Sequence, residues 1–262
     1  MSQSTLSSQI VALERELDTK LFERTQRRVQ LTAAGAVLLE NIEPILAQMD
    51  DMQRKVREAG LGERGTLIIG ASEPAINTFL PDVIQSFRTQ HPHVKLRVRA
   101  KFSEAALDDL LKCRIDVAFA RPSPIAGVVD CRVLGTIPYQ AILSVKHPAA
   151  SKRIVALNEL CGETLFTYPR RIIGGEFDTQ IAFCNRLNFV PSAIEEVEDT
   201  DSIIALVACG LGVSILPRGM GINSSRVVAK PIAGSTWKYE VAALWRAGDT
   251  SAPAREFLKM YD

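Results

Sequence analysis

The sequence lacks most of what would mark an enzyme or an exported protein. Its 262 residues include three histidines, five cysteines and 6% aromatics. Cys113, Cys131, Cys161, Cys184 and Cys209 are odd in number and far apart, with no C-x-x-C pair and no histidine at zinc-ligand spacing. That pattern predicts reduced thiols in a cytoplasmic protein and excludes a disulfide framework. Met1-Ser-Gln-Ser leads into no apolar run, so no secretory signal is expected. The longest apolar stretch, 203–216, is interrupted by Gly210, Gly212 and Ser214 and falls short of the ~20 residues of a membrane span. Phosphate-loop, dinucleotide-binding, nucleophile-elbow and H-E-x-x-H motifs are all missing. No cofactor, metal or catalytic activity is therefore expected. His91-Pro92-His93 has no third ligand and reads as a turn, and Ser72, Glu73 and Asp116 have no histidine in a context to serve as base.

Charge of one sign is missing too, since 31 basic residues meet 30 acidic ones. A nucleic-acid surface would have to be a local cluster. With 47% hydrophobic residues the chain can bury a sizeable core, and its length allows two domains, or two and a fragment.

What is present is ordered along the chain. Leu6, Ile10, Leu13, Leu17 and Leu21 recur at helical spacing and predict an amphipathic helix from Thr5 to Phe22. The segment from Lys20 to Arg28 holds four basic residues against Glu23, and Val29-Gln-Leu31 reads as extended. Thr32 is a good N-cap for a long helix toward Gly60. Within it Leu38, Ile42, Ile45, Met49, Met52 and Val56 alternate steps of four and three, the spacing of a coiled-coil seam. A dimerisation helix is expected, with packing on its own domain as the alternative; Pro44 is expected to bend it. The segment 60–65 reads as a linker.

From Thr66 the pattern becomes strands alternating with helices. Strands are expected at 67–70, 94–100 and 116–119, with helices at 81–90 and 105–112. After a stretch from Tyr139 to Val145, a second set has strands at 164–167, 193–197 and 213–216 and helices at 177–188 and 202–209. Segments 227–231 and 239–245 and a closing helix over 252–261 could tie two α/β lobes together, and no internal repeat shows in the sequence. Gly210-Leu-Gly212 reads as a tight helix-to-strand turn at the cleft wall.

Ser2-Gln-Ser-Thr-Leu-Ser-Ser-Gln-Ile10, Ala12-Leu-Glu-Arg-Glu-Leu17, Leu21-Phe-Glu-Arg-Thr25, Arg28-Val-Gln-Leu-Thr32 and Ala34-Gly35 form a dense, ordered set. It resembles the recognition helix, wing and linker-helix start of LysR-type transcriptional regulators. Phe87 with His91-Pro-His-Val, Arg114-Ile-Asp-Val-Ala, His147-Pro148 and Leu206 to Pro217 are similar to landmarks of that family's effector domain, so the likeness covers nearly the whole chain.

The resemblance implies an α/β fold: a two-lobed, periplasmic-binding-protein-like effector domain, preceded by a partial winged helix-turn-helix and a long linker helix. The divisions expected are 1–31 for the partial winged helix, 32–60 for the linker and dimerisation helix, 61–136 plus 243–262 for lobe I, and 137–242 for lobe II. Gln3, Ser4, Ser7 and Gln9 would meet double-stranded DNA from the recognition helix, and Arg24, Arg27 and Arg28 from the wing. The family usually carries a basic residue at the position of Ser8, and it places two helices before the recognition helix, on the order of 30 residues. Leu6, Ile10, Leu13 and Phe22 would pack on them; without them a small-molecule-binding protein or dimerisation partner deficient in DNA binding is the alternative.

Ligands of open α/β sheets bind beyond the carboxyl ends of strands. Ser72, Glu73, Pro74, Phe102, Ser103 and Arg121 are expected to line one wall, and Tyr168, Pro169, Phe177, Asp199 and Thr200 the other. Arg121 would hold a carboxylate while Phe102, Tyr168 and Phe177 cover an aromatic or unsaturated body, which points to a small organic acid. Tyr168-Pro169 and Arg121 resemble the subgroup governing benzoate, catechol and chlorocatechol degradation, though Glu73 and Pro74 stand where that subgroup has hydroxyls. The family further implies a homodimer or tetramer, RNA polymerase as a partner, and no membrane.

Overall fold

The computed structural model describes residues 3–24, 28–60, 65–220, 224–248 and 251–261, and divides into two compact units, Met1–Val56 and Arg57–Asp262. Arg27 lies outside the described residues. None of the described helices is long and apolar enough to cross a membrane.

In the first unit, helix α1 (Gln3–Glu16) stops six residues before the predicted end at Phe22. Its apolar spacing continues through Leu17 and Leu21, but the backbone turns at Asp18, where φ is 47°. The Thr19 amide donates back to the Glu14 carbonyl at 3.1 Å and the Asp18 amide to Arg15 at 3.3 Å, a Schellman-type ending that local hydrogen bonds favour over another helical turn. The buried Glu14 carboxylate then receives the amides of Leu21 (3.0 Å) and Phe22 (3.3 Å) and the Lys20 ammonium (2.9 Å). These contacts start the hairpin of β1 (Phe22–Arg24) and β2 (Val29–Leu31), paired with Phe22 opposite Leu31.

Thr32 caps helix α2 (Ala33–Gly60) by accepting the Gly35 amide at 3.0 Å. Gly35 is required by close approach, because a Cβ there would lie 2.1 Å from the Leu21 carbonyl oxygen. The helix runs on through Pro44 without a break.

The second unit is one nine-stranded sheet. Its first half contains β3 (Thr66–Ala71), α3 (Glu73–Thr78), α4 (Pro81–Gln90), β4 (Lys95–Ala100), α5 (Ser103–Leu111) and β5 (Val117–Ala120). Next comes the 16-residue β6 (Val129–Ser144). The second half contains β7 (Thr164–Thr167), α6 (Arg170–Ile173), α7 (Gly175–Arg186), β8 (Ala193–Glu196), α8 (Thr200–Ala208) and β9 (Val213–Pro217). The remaining elements are β10 (Val227–Pro231), β11 (Lys238–Arg246) and α9 (Ala252–Leu258).

Strand order is β4-β3-β5-β11-β6-β9-β7-β8, with β10 beside β6. In each half the first strand sits centrally between parallel neighbours, β3 between β4 and β5, and β7 between β8 and β9. The same arrangement thus occurs twice although no repeat is visible in the sequence. Antiparallel β6 and β11 join the halves into a two-lobed domain.

β3 and β5 are buried on both faces, as covered parallel strands are, with Leu67, Ile69 and Phe119 packing toward Phe87 and Phe257 while Ile68 and Ala118 meet Ala106 and Leu110. His91, at the C-cap of α4, stacks on Phe87 with ring centroids 4.6 Å apart, which accounts for one histidine of the predicted turn. Gly212 packs closely on β7, where a Cβ would meet the Thr164 carbonyl at 2.3 Å; the tight turn lies against that strand and not at the cleft.

Candidate functional site

Along α1, Ser4 and Gln9 are exposed and Ser7 is half-buried; Gln3 begins the helix. Arg24 ends β1 and Arg28, exposed, precedes β2 across the hairpin. On α2 Leu38 and Ile42 are half-buried, whereas Ile45, Met49, Met52 and Val56 are 47–66% exposed. That leaves an apolar stripe on the helix surface.

In the sheet domain, strand ends from both lobes converge on a cavity of about 290 Å³. Ser72, Glu73 and Pro74 follow β3, Phe102 and Ser103 follow β4, and Arg121 follows β5. Tyr168 follows β7, and Asp199 and Thr200 begin α8 after β8. All of these line the cavity.

Pro169 and Phe177 do not. Pro169 caps α6, and Phe177 packs into the cluster of Ile142, Phe166 and Ile203. Helix α7 begins at Gly175, and the 100° turn per residue directs Glu176, not Phe177, at the cavity. The residues that sequence reasoning missed include Glu176 and the floor formed by Tyr139, Trp237 and Tyr239, which come from the antiparallel strands β6 and β11 and the segment before β11. The available signals were the paired glycines before Glu176 and the aromatic density of Trp237-Lys-Tyr239.

Arg121 is shared between two acids. Its guanidinium donates to Glu176 of α7 and to Glu104 of α5, and reaches the Ile173 carbonyl at 3.3 Å. Burial works against its charge, but the Glu176 and Glu104 carboxylates more than offset this and raise its pKa. The other oxygen of Glu176 accepts from the Tyr139 hydroxyl. A second link crosses the lobes: Thr200 donates to Glu73 at 2.6 Å, and the Tyr168 hydroxyl lies 2.6 Å from the same Thr200 oxygen. Since Thr200 has one proton, Tyr168 is the donor in that pair.

Ser103 and Tyr239 bond at 2.8 Å, and Ser103 also accepts the Arg121 amide at 3.3 Å. Asp199 caps α8 by accepting the Ser202 amide, which lowers its pKa. Burial pushes the phenols of Tyr139, Tyr168 and Tyr239 upward, so all three are neutral hydrogen-bonding groups. No group of three metal-ligating side chains occurs among the described residues.

The family pattern described as bacterial regulatory helix-turn-helix protein, lysR family, matches residues 1–36, and the LysR substrate binding domain pattern matches residues 60–261. The uncharacterized HTH-type transcriptional regulator YnfL of Escherichia coli (strain K12) is 31% identical over 266 residues, covering 100% of this chain and 89% of that protein. The crystal structure of CbnR, a LysR family regulator also solved with its target DNA, superposes with a TM-score of 0.76 at 21% identity, over 100% of this chain and 89% of that one. The BenM effector binding domain with its effector benzoate gives 0.65 at 21% identity, over 75% of this chain and 90% of that one. At these identities the two structures establish likeness of fold. With both patterns matched and a regulator similar over the whole of this chain, the chain is a DNA-binding transcriptional regulator and not an enzyme: it belongs to the LysR family.

Proposed function

We propose that this regulator senses a small organic effector with an aromatic or unsaturated body in the cavity between its lobes, and that occupancy changes how α1 and the hairpin engage double-stranded DNA. The observation that carries this reading is the convergence of strand ends from both lobes on one aromatic-walled cavity. Ser72, Glu73, Pro74, Phe102, Ser103, Arg121, Tyr168, Asp199 and Thr200 are the proposed effector-contacting residues. The division into 1–31, 32–60, 61–136 plus 243–262, and 137–242 serves as the working domain map.

The finer expectation of an organic acid, and of kinship with the benzoate and catechol regulators, rested on Arg121 and on Tyr168-Pro169. The benzoate-bound BenM domain is a precedent at the level of fold. Here Arg121 is shared between Glu104 and Glu176, and Pro169 stands off the cavity, so the residues support the ring more than the carboxylate.

Homo-oligomerisation is supported by the exposed Ile45, Met49, Met52 and Val56 stripe. It is also supported by the two edge strands of the sheet, where β4 exposes Lys95, Arg97 and Arg99 and β8 exposes Glu195 and Glu196. RNA polymerase is the further partner, and the cytoplasm the setting, that a regulator of this kind requires.

Mobility-shift titrations with DNA from upstream of the chain's own gene test the DNA half. Binding is expected to weaken steeply with salt, and Arg28→Ala to lower the log-log salt slope by about one. No shift at low salt, with or without candidate effectors, sinks the DNA-binding reading and favours a ligand-binding or dimerisation partner.

A further inference from the structure

We propose that the cavity is built for an effector bearing an ammonium group on its ring or apolar body, and not a carboxylate; this rests on the reading of the cavity as the effector site. The first ground is the charge of its wall. Carboxylates of Glu73, Glu104, Glu176, Glu198 and Asp199 line it against two basic side chains, Lys101 and Arg121. Both bases are engaged, Lys101 with Asp109 at 3.1 Å and Arg121 with Glu104 and Glu176; Glu198 is paired with Arg171, which leaves Glu73, Glu104, Glu176 and Asp199 as the acidic excess around Arg121.

Helix N-termini are the other source of positive potential at the carboxyl ends of such strands, and here they carry their own acids. Glu73 sits in the first turn of α3, Glu104 in that of α5 and Glu176 in that of α7, while Asp199 caps α8. An incoming carboxylate would meet fixed like charge and would have to displace Glu104 or Glu176 to reach Arg121. An ammonium enters a field of the opposite sign.

The second ground is independent of charge. Ser72 is 3% exposed and lines the cavity, yet its Oγ makes no hydrogen bond among the described residues. Its neighbour Tyr239 has its own hydroxyl bonded to Ser103 at 2.8 Å. A buried hydroxyl left in this way is costly, and the polar group of a bound ligand, an N–H among them, satisfies it, so this ground points to a ligand while the charge of the wall selects its kind. Beside it the walls are aromatic, which suits the ring of such a ligand: Tyr139 and Trp237 stack with centroids 3.6 Å apart, and Phe102 meets Tyr168 edge-on at 5.1 Å.

Calorimetric titration of the full chain at pH 7 with benzylamine, benzyl alcohol and benzoate varies charge on one ring. Benzylamine is expected to bind about tenfold tighter than the alcohol, with benzoate weakest. The double variant Glu104→Gln/Glu176→Gln releases Arg121 at nearly constant volume and is expected to reverse the order. Glu104→Gln alone, at a more exposed position, moves the ranking the same way by a smaller factor and serves if the double variant does not fold. Benzoate binding tightest to the unmodified chain overturns the charge inference and leaves the effector cavity standing. Binding by none of the three overturns both, and a ranking indifferent to the glutamine substitutions places the probes elsewhere and overturns the inference.

Discussion

In the unit Met1–Val56 the buried residues among those described are Glu14, Leu21 and Gly35, whereas Arg57–Asp262 buries a large apolar cluster that includes Phe87, Phe119, Phe189 and Phe257, and a second one around Phe166. Polar anchors hold the first: the turn at Asp18, the Glu14 carboxylate on two amides, and the Thr32 cap. Area removed from water holds the second. With most of its described apolar residues at the surface, the first unit draws its order from local hydrogen bonds more than from burial. The two tryptophans, Trp237 and Trp245, and the four tyrosines all lie in the second unit, so their fluorescence reports on that unit alone while far-ultraviolet circular dichroism reports on both.

The largest effect is expected from Phe257→Ala. Phe257 is fully buried and touches Phe87 edge-on at 5.0 Å, and its loss should cost about 3–5 kcal/mol in denaturant melts followed by tryptophan fluorescence. A shift under 1 kcal/mol on that scale would break the contrast by showing that the core does not depend on close packing. Gly35→Ala comes next. Its methyl would meet the Leu21 carbonyl, so the first unit should lose about 1–3 kcal/mol of local stability, read as faster amide exchange at Leu21 and Thr32 with tryptophan fluorescence unchanged. An unchanged exchange rate would mean that α2 and the hairpin start are not held together there.

The smallest effects are those of pH, and they oppose each other. Hydrogen bonds from Lys20 and the Leu21 and Phe22 amides lower the Glu14 pKa from 4.5 to about 2. Its contribution is therefore complete above 4.5 and lost as pH falls toward 2, and amide protection at Leu21 and Phe22 should fade in that window. Tyr139 and Tyr239, raised above 10 by burial, keep protons that the unfolded chain releases, so the second unit should weaken as pH rises beyond 10. Both units failing at the same end of the pH scale would erase the distinction.

What was legible from sequence follows the same physics. Ser72, Phe102, Arg121, Tyr168 and Asp199 were findable because parallel strands deliver their carboxyl ends to one place. Tyr139 and Tyr239 were not, since antiparallel crossing strands reach the cavity along their length and period alone does not say where. Phe177 was misplaced because α7 starts two residues earlier than its apolar pattern, which turns Phe177 into the core. Helix α1 was overextended because Leu17 and Leu21 keep helical spacing across a turn that only Asp18 and the returning amide of Thr19 define. The two successive sets of strands and helices were legible, but the strand order that they share was not, because topology, not residue identity, is what repeats.

The placement of β11 has a consequence for how the chain is made. The strands of the second half, from Tyr139 of β6 through β10, are contiguous in sequence and can close on one another as soon as they leave the ribosome. The first half cannot: β5 waits for residues 242–245 of β11, and Phe87 and Phe119 wait for Phe257 of α9. The half synthesised first is completed last, and until the final strand and helix arrive β5 keeps one open edge as a nascent chain on which chaperones have the longest time to act.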